Sequence, residues 1–339
     1  MKKLLLICFL SFVSLVTAQS IGRVGTTSAA FLKIGVGARG LAMGEANTTI
    51  AEDITGMYWN PAGIANSREM QFFFTHYDYI AELTYDYAGM TIPVSGFGTI
   101  GIFAGNLGMP DIERTTVQSP NGTGEKVSAG SFVLGLSYGR SLTDRFSIGG
   151  NVKYVTESIW HTSSHGFAFD VGVLYKTIFK NIRLGMSISN FGTSMQLSGR
   201  DLLIQHDIDE LLEGNNENLN ANLETEKYPM PILFRVGISS NILEDFFEMT
   251  DYDFTFAVDA IHPNDDKEYV NTGAEFMFQD MVALRAGYRK LFLDDSEGGL
   301  TFGVGLQFNV MELKINLDYA NIDFGRLDHQ NKFSLIVAF

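Results

Sequence analysis

The sequence ends with the stretch Lys332-Phe-Ser-Leu-Ile-Val-Ala-Phe339, in which large apolar residues alternate with small or polar ones. Successive side chains of a β-strand point to opposite faces, so Phe333, Leu335, Val337 and Phe339 share one face. A strand that stops at a terminal aromatic residue is typical of the last strand of a bacterial outer-membrane β-barrel. The pattern therefore predicts lipid against one face of the strands and water or protein against the other. Phe339 would then be the assembly signal that the barrel-assembly machinery reads from the C-terminal strand.

The same alternation recurs along most of the chain, for example over residues 146–154, 282–288, 300–308 and 313–319. Charged residues occur in the middle of the polar face, where a dry core would exclude them but a wet or plugged lumen accepts them. The predicted lumen-facing charges are Lys153, Asp170, Arg183, Arg235, Asp259, Glu275, Arg285, Arg289, Lys314 and Asp318. We interpret them mainly as ion pairs that hold strands and plug together, with a charged translocation path as the alternative.

Val304 and Gly305 illustrate the two faces of one predicted strand. Val304 falls on the lipid face, where a charge costs about 2–4 kcal/mol at the centre of the membrane, and Gly305 falls on the lumen face. We therefore expect Val304→Arg to block barrel assembly and Gly305→Ser to be tolerated.

About fourteen segments have strand character by this period-two pattern. They lie near residues 69–77, 82–93, 97–107, 129–140, 145–157, 165–176, 181–192, 230–240, 252–262, 268–278, 281–291, 299–308, 311–322 and 330–339. Short connections alternate with longer ones, as in barrels whose turns face the periplasm and whose loops face outside. The sequence thus predicts an all-β fold, a transmembrane antiparallel barrel of about fourteen strands.

The N-terminal region divides into two predicted parts. Residues 1–18 combine Lys2 and Lys3, an apolar run and Val16-Thr17-Ala18, which is the pattern of a secretory signal peptide. Residues 19–68 show no strand pattern and precede the first strand, so we expect a plug in the lumen, followed by the barrel at 69–339. These features predict export to the outer membrane of a Gram-negative bacterium, with outer-membrane lipid around the barrel.

The predicted plug contains small residues and a turn motif. The residues singled out are Arg39, Gly40, Gly44, Asp53, Asn60, Pro61, Ala62 and Gly63. Asn-Pro and neighbouring glycines mark turns, so we interpret Arg39, Asp53 and Asn60 as groups that cap and hold turns. A gate at the plug is the alternative interpretation of these residues.

Several functional classes are disfavoured by the sequence. The net charge of −15 repels nucleic acid. The glycines of Gly35-Val-Gly-Ala-Arg-Gly40 match a dinucleotide fingerprint, but a barrel lacks the βαβ unit that this motif requires, so no cofactor is predicted. His161 and His165 lack the setting of a metal site, and no nucleophile stands in a recognisable catalytic motif. We therefore expect neither an enzyme nor a metal protein, and we expect acidic pairs such as Asp265-Asp266 to lie in solvated loops.

Six stretches carry a specific resemblance to a known family. They are Leu32–Gly44, Ala51–Gly63, Asp78–Gly89, Leu142–Ser147, Arg183–Gly192 and Gly199–Leu202. Together they resemble the PorV/PorQ family, a branch of the FadL-like outer-membrane barrels, at varying strength over most of the mature chain. The resemblance implies a fourteen-stranded barrel with an N-terminal plug. It also implies a role in type IX secretion and a Bacteroidetes-like source, although Gly63-Ile64 departs from the PorV-like form.

Two functions follow from the resemblance and the pattern. The favoured one is an interaction protein of type IX secretion that binds cargo C-terminal domains or the translocon through its outer loops. Helical spacing in the longest loop predicts a short amphipathic helix there, which either offers a partner surface or packs on the barrel rim. The residues of that surface are Arg200, Asp201, Leu203, Ile204, Ile208, Leu211 and Leu212.

The alternative function is a FadL-like transporter of long-chain fatty acids or other hydrophobic compounds. A transporter predicts an apolar pocket between plug and lumen wall, with few and convergent polar groups. Polar residues dominate the middle of the lumen face, which disfavours this function. Five apolar residues also point inward by the pattern, and their clustering would decide: Phe103, Leu174, Leu233, Met277 and Ile336.

Overall fold

The computed structural model describes residues 24–207, 218–247, 252–293, 296–327 and 329–339. The signal peptide expected at residues 1–18 lies outside the described residues. Among the described residues, no helix is both long enough and apolar enough to cross a membrane.

Fourteen antiparallel strands form the barrel. They are β1 (Gln71–Asp78), β2 (Thr84–Val94), β3 (Gly98–Gly108), β4 (Ala129–Thr143), β5 (Phe146–Ile159), β6 (Thr162–Lys176), β7 (Arg183–Gly192), β8 (Leu233–Asn241), β9 (Tyr252–Pro263), β10 (Tyr269–Phe278), β11 (Val282–Leu291), β12 (Leu300–Val310), β13 (Leu313–Asp323) and β14 (His329–Ala338). Each strand pairs with the next along the chain, and β14 closes the barrel by pairing with β1, with Gln71 opposite Ala338. The predicted fold class and strand number are confirmed.

The connections differ between the two ends of the barrel. At one end they are the turns at 95–97, 144–145, 177–182, 279–281 and 311–312, together with a link that contains helix α3 (Ile242–Phe247). We call this the short-turn end and the opposite one the long-loop end. At the long-loop end, β5 and β6 are joined by residues 160–161 alone.

The two faces of the strands differ as predicted. On β12, Phe302 and Val304 are exposed on the outside, whereas Thr301, next to Phe302, is buried on the lumen side. On β14, Phe333 points outward and Lys332 inward. The outer surface is therefore a continuous apolar band, as a lipid environment requires.

The plug fills the lumen with short helical turns. They are the 3₁₀ turn Ala30–Lys33, α1 (Ala38–Ala42), α2 (Gly56–Trp59) and the 3₁₀ turn Pro61–Asn66. The plug lies so close to the wall that glycine is required there. A Cβ atom on Gly149 would meet the carbonyl oxygen of Pro61, and one on Gly172 would meet Oδ1 of Asn60, both well inside contact distance. The small residues of the barrel thus make room for the plug.

The longest outer connection contains β-ribbons. Leu203–His206 pairs with Leu219–Asn222, and Met195–Gln196 pairs with Lys227–Tyr228. The predicted amphipathic helix is therefore wrong for residues 203–206, which are extended. Ile208, Leu211 and Leu212, on which the helical spacing also depended, lie outside the described residues.

Candidate functional site

A small cavity lies between plug and wall, toward the long-loop end of the lumen. Its apolar lining consists of Leu32, Met57, Tyr58, Tyr85, Tyr87, Phe103 and Val133, and its polar lining of Lys153, Asp170, Ser189, Asn190 and Arg235. We call it the aromatic cavity. Its free volume is about 20 Å³, which is the space of one water molecule.

Strands β2 and β3 and the plug supply the aromatic wall. Tyr85 and Tyr87 share the lumen face of β2, and the ring of Tyr87 stacks on that of Phe103 with centroids 5.5 Å apart. From the plug, Tyr58 donates a hydrogen bond to the carbonyl oxygen of Leu32 at 3.3 Å. Burial raises the pKa of Tyr58 well above its usual range, so this side chain stays a neutral phenol. The hydroxyl of Tyr87 is buried with no hydrogen-bond partner among the described residues.

One cation of the cavity is neutralised by the wall itself. Lys153 lies 2.7 Å from Oδ1 of Asp170 and also donates to Oδ1 of Asn190. Asp170 accepts further hydrogen bonds from Asn151 and from the backbone N–H of Asn190, each at 2.7 Å. The pairing of β6 with β7 shifts register at this point, and Asn190 has a φ of 64°. This β-bulge turns Asn190 toward Asp170 and Lys153.

The second cation of the cavity lies against aromatic rings instead of a carboxylate. Arg235 is 5% exposed, and its one hydrogen bond within the described residues goes from Nη1 to Oγ of Ser189 at 3.0 Å. Its guanidinium carbon lies 5.9 Å and 5.8 Å from the ring centroids of Tyr58 and Trp59. Among the described residues, no carboxylate lies within 4.0 Å of this side chain.

A segment of the plug covers the cavity at the long-loop end. We call residues 27–33 the N-terminal flap, because Leu32 projects from it into the cavity. Lys33 forms a 2.6 Å ion pair with Asp265, Thr27 donates to the same carboxylate at 2.8 Å, and the backbone N–H of Ala29 donates to Glu157 at 3.0 Å. The expectation of a solvated Asp265 is wrong, because this carboxylate is buried and holds the flap.

The short-turn end of the lumen is ionic. Arg39 of the plug donates two hydrogen bonds to Glu275, at 3.0 and 2.8 Å, and lies 3.6 Å from Asp53. Arg285 also bonds to Glu275, and its Nη1 lies 2.6 Å from Asp318. We call Arg39, Glu275, Arg285 and Asp318 the ion network. A polar cavity of about 150 Å³ adjoins it.

The other predicted plug residues hold turns or approach the wall. Asn60 donates to the carbonyl oxygens of Thr48 and Val173, at 2.9 and 3.1 Å, and accepts from the N–H of Ala62. Asp53 caps the turn at Thr55 through two hydrogen bonds. The residues packed around these turns are Gly40, Gly44, Pro61, Ala62 and Gly63, all buried.

The remaining predicted lumen charges are dispersed. Asp259 accepts from the backbone N–H of Thr48 at 2.8 Å, and Arg289 lies 3.3 Å from Glu45. Arg183 and Lys314 are located at the short-turn rim, where Arg183 lies 3.7 Å from Glu52. The structure thus brings together Lys153, Asp170 and Arg235 at one end and Glu275, Arg285 and Asp318 at the other.

The five apolar residues expected to point inward do not form one cluster. Phe103 lines the aromatic cavity, whereas Met277 and Ile336 line the polar cavity beside the ion network. Leu174 and Leu233 are buried but line neither cavity. The apolar surface at the long-loop end comes mostly from tyrosines and from the plug.

Sequence reasoning missed four residues of this region. Tyr85 and Tyr87 alternate correctly on β2 and could have been found by that signal, and Tyr58 lies beside the recognised turn motif. Lys332 is 1% exposed, and its Nζ lies 4.0 Å from the ring centroid of Tyr77. Its position on the lumen face of β14 follows from the opening pattern.

The remaining predicted sites lie in the outer loop and at the end of β14. Arg200 and Asp201 contact His161, and Leu203 and Ile204 are exposed on the outer ribbon. Phe339 follows β14 and exchanges backbone hydrogen bonds with Met70 at 2.9 and 3.1 Å. No group of three metal-ligating side chains occurs within the described part of the chain.

Comparisons with known proteins rest on the fold. No family model and no curated protein matches the sequence. The chain is similar to the solved monoaromatic hydrocarbon channel CymD, with 13% identity, a TM-score of 0.54 and coverage of 90% of this chain and 97% of that one. It is similar to the Pseudomonas putida toluene transporter TodX at 13% identity, a TM-score of 0.52 and the same coverage. A Pseudomonas aeruginosa FadL homologue matches at 11% identity and a TM-score of 0.50, over 87% of this chain and 95% of that one.

Proposed function

We propose that this protein is an outer-membrane channel that admits small hydrophobic compounds. The observation that carries the proposal is the aromatic cavity, which joins an apolar lining to a few convergent polar groups between plug and wall. The fold similarity to hydrocarbon channels supports the same function. The apolar band of the barrel and the predicted signal peptide support a location in the outer membrane of a Gram-negative bacterium. Outer-membrane lipid and the barrel-assembly machinery would then be its partners.

The cavity is too small in this structure to hold such a compound. Its free volume is about 20 Å³, whereas a buried apolar cavity that binds benzene measures about 150 Å³. Uptake therefore requires the cavity to widen, and the N-terminal flap is the element placed to do so. The flap is fixed by Asp265 and Glu157, so its release would withdraw Leu32 from the cavity.

The onward route of the compound follows from the charges below the cavity. The ion network occupies the short-turn end. An apolar molecule cannot hydrogen-bond to these buried charges, so passage beside them is unfavourable. The interrupted pairing between β6 and β7, at Asp170 and Asn190, lies beside the cavity. We propose that the compound leaves through the wall near this bulge, with passage around the plug as the alternative route.

The type IX secretion function is the second candidate. Its support is the sequence resemblance to the PorV/PorQ family and an outer loop with exposed Leu203 and Ile204 beside a groove of about 440 Å³. Cargo C-terminal domains or the translocon would bind there. The fold comparisons favour the channel function, so we propose it ahead of the secretion function.

Uptake by cells tests the channel function. The protein is expressed in a Gram-negative host that lacks its own hydrophobic-compound channels, and uptake of radiolabelled toluene and of a long-chain fatty acid is measured. We expect uptake of one of them above the empty-vector level. Val133→Trp, which fills the aromatic cavity, should remove this gain, and Val304→Ile on the outer face is the matched control.

A negative result is also informative. Folding is checked by the heat-dependent shift of barrel mobility in electrophoresis. A folded barrel whose uptake equals that of the empty vector contradicts the channel function. Recovery of a large translocon barrel or of secreted proteins with the tagged protein would then favour the secretion function.

A further inference from the structure

The buried cations of the lumen differ in how they are compensated. Lys153 pairs with Asp170, Arg285 with Glu275 and Asp318, and Arg289 with Glu45. The exceptions within the described residues are Arg235 and Lys332, which lie against aromatic rings and have no carboxylate within 4.0 Å. A buried charge without a carboxylate in contact is costly unless other groups solvate it. Of these two cations, Arg235 lines the aromatic cavity.

The guanidinium of Arg235 has unused donors. An arginine side chain carries five N–H donors in a planar fork, and within the described residues Arg235 uses one, toward Ser189. The hydroxyl of Tyr87, which lines the same cavity, is also buried without a partner there. Both groups are suited to donate to an oxygen anion.

The charges that face the cavity define the ligand further. Lys153 and Asp170 cancel one another, so Arg235 leaves the lining with one net positive charge. Asp259 lies on the neighbouring strand, where its Oδ2 accepts from Thr48 of the plug. Its charge acts on Arg235 from beyond 4.0 Å, and it does not line the cavity. A single anionic group is therefore complementary to the site, and a dianion is not.

The aromatic lining defines the rest of the ligand. The rings of Tyr58, Tyr85, Tyr87 and Phe103 line the space beside the guanidinium, and contact between aromatic rings is favourable beyond the area that they bury. A planar ring that bears one carboxylate would satisfy both the rings and Arg235. Guanidinium and carboxylate match in geometry, because each presents two parallel positions for hydrogen bonds.

We propose that Arg235 is the binding residue for a carboxylate, and that the aromatic cavity selects small aromatic monocarboxylic acids over neutral hydrocarbons. This inference rests on the proposed function, because the ligand must reach the cavity through the flap. It differs from that function in naming the headgroup and the residue that recognises it. Neutral monoaromatic compounds would still enter, but with lower affinity.

Fluorescence titration of the purified full-length barrel tests the inference. The protein has two tryptophans, and Trp160→Phe leaves Trp59 as the reporter beside Arg235. The probes are benzoate, benzyl alcohol and toluene, which share one ring and differ in the headgroup. We expect benzoate to bind at least about tenfold more tightly than benzyl alcohol, since hydrogen bonds to charged groups contribute about 1.5–3 kcal/mol.

Two variants of Arg235 and one control refine the titration. Arg235→Gln should weaken benzoate binding about tenfold or more and leave toluene binding within about twofold. Arg235→Lys keeps the charge but loses the fork, so it should recover only part of the benzoate affinity. Lys314→Gln removes a positive charge at the exposed rim and should change the affinity for neither benzoate nor toluene.

The outcomes separate this inference from the proposed function. Equal affinity of the unsubstituted protein for benzoate and benzyl alcohol overturns the inference, even if Arg235→Gln fails to fold. Unchanged benzoate binding in a folded Arg235→Gln barrel overturns it as well. In both cases toluene binding would leave the channel function standing, whereas a barrel that binds none of the three probes contradicts both.

Discussion

Arginines inside the lumen have carboxylate partners at one end of the barrel and aromatic neighbours at the other. At the short-turn end, Arg39 and Arg285 share Glu275, and Asp318 completes the ion network. At the long-loop end, Arg235 touches rings and Ser189, with no carboxylate of the described residues within 4.0 Å. The same residue type thus has compensated charge at one end and free donors at the other.

This difference separates two roles for lumen charge. In the ion network, Glu275 and Arg285 come from adjacent strands and Arg39 from the plug, so the network fastens plug to wall. The charge of Glu275 raises the pKa of Arg39 above its usual range, so this side chain stays charged. In the aromatic cavity the wall compensates Lys153 but leaves Arg235 available. The comparison predicts that charges of the first kind govern stability and that Arg235 governs ligand choice.

The largest expected effect comes from breaking the ion network. Glu275→Gln removes the carboxylate that two buried arginines share, and loss of one partner from a buried ion pair costs about 3–5 kcal/mol. We expect the free energy of unfolding to fall by this amount in a urea titration of the lipid-reconstituted barrel. Glu312→Gln, at an exposed turn of the same end, is the control. If both variants unfold at the same urea concentration, the network does not fasten the plug.

The next prediction tests which residues of β12 face the lipid and which face the lumen. Val304→Arg places a charge on the exposed apolar face of β12, which costs about 2–4 kcal/mol in a membrane. We expect little folded barrel in the outer membrane, measured as the heat-shifted fraction in electrophoresis. Gln307→Arg on the lumen face of the same strand should assemble normally. Equal assembly of the two arginine variants would contradict the assigned faces.

Gly305 is a poor control for this experiment, contrary to the expectation from the sequence. A Cβ atom there would lie 2.6 Å from Nη1 of Arg285 and 2.6 Å from Oδ1 of Asp318. Both side chains belong to the ion network and are buried, so they cannot move aside without losing their partners. We therefore expect Gly305→Ser to destabilise the barrel, unlike Gln307→Arg.

A smaller effect concerns the flap that covers the aromatic cavity. Asp265→Asn weakens the ion pair with Lys33 and the hydrogen bond from Thr27, and hydrogen bonds to charged groups contribute about 1.5–3 kcal/mol. Local opening should become about tenfold more frequent. We expect faster toluene uptake and easier proteolysis within residues 27–33. Asp266→Asn, next to it in sequence and without contact to the flap, should leave both rates unchanged.

The alternation of residues was sufficient to predict most of the fold. It placed Phe333 outside and assigned the strands, because a lipid face and a lumen face impose a strict period of two. The helix predicted for the outer loop is wrong at Leu203 and Ile204, which lie on a ribbon. Short apolar runs do not distinguish helix from strand when no membrane fixes the pattern.

The candidate site was predictable only in part. Glu275 and Arg285 flank a short turn, so their cross-strand pairing follows from the hairpin register. The isolation of Arg235 does not follow, because it depends on the bulge that draws Asn190 toward Lys153 and Asp170 and on the path of the plug. Neither feature leaves a periodic signal in the sequence. The inward direction of the charges and the Glu275–Arg285 pair are therefore predictable from the sequence, but the partners of Arg235 are not.

The smallest expected effect on stability belongs to Arg235. Arg235→Gln removes one hydrogen bond and two ring contacts, but it also removes a buried charge without a carboxylate partner, and these contributions oppose each other. We expect the free energy of unfolding to change by less than about 1 kcal/mol, measured by the same urea titration as for Glu275→Gln. A loss as large as that of Glu275→Gln would place Arg235 among the stabilising charges. A small loss combined with altered ligand choice would distinguish the two ends of the lumen by function as well as by geometry.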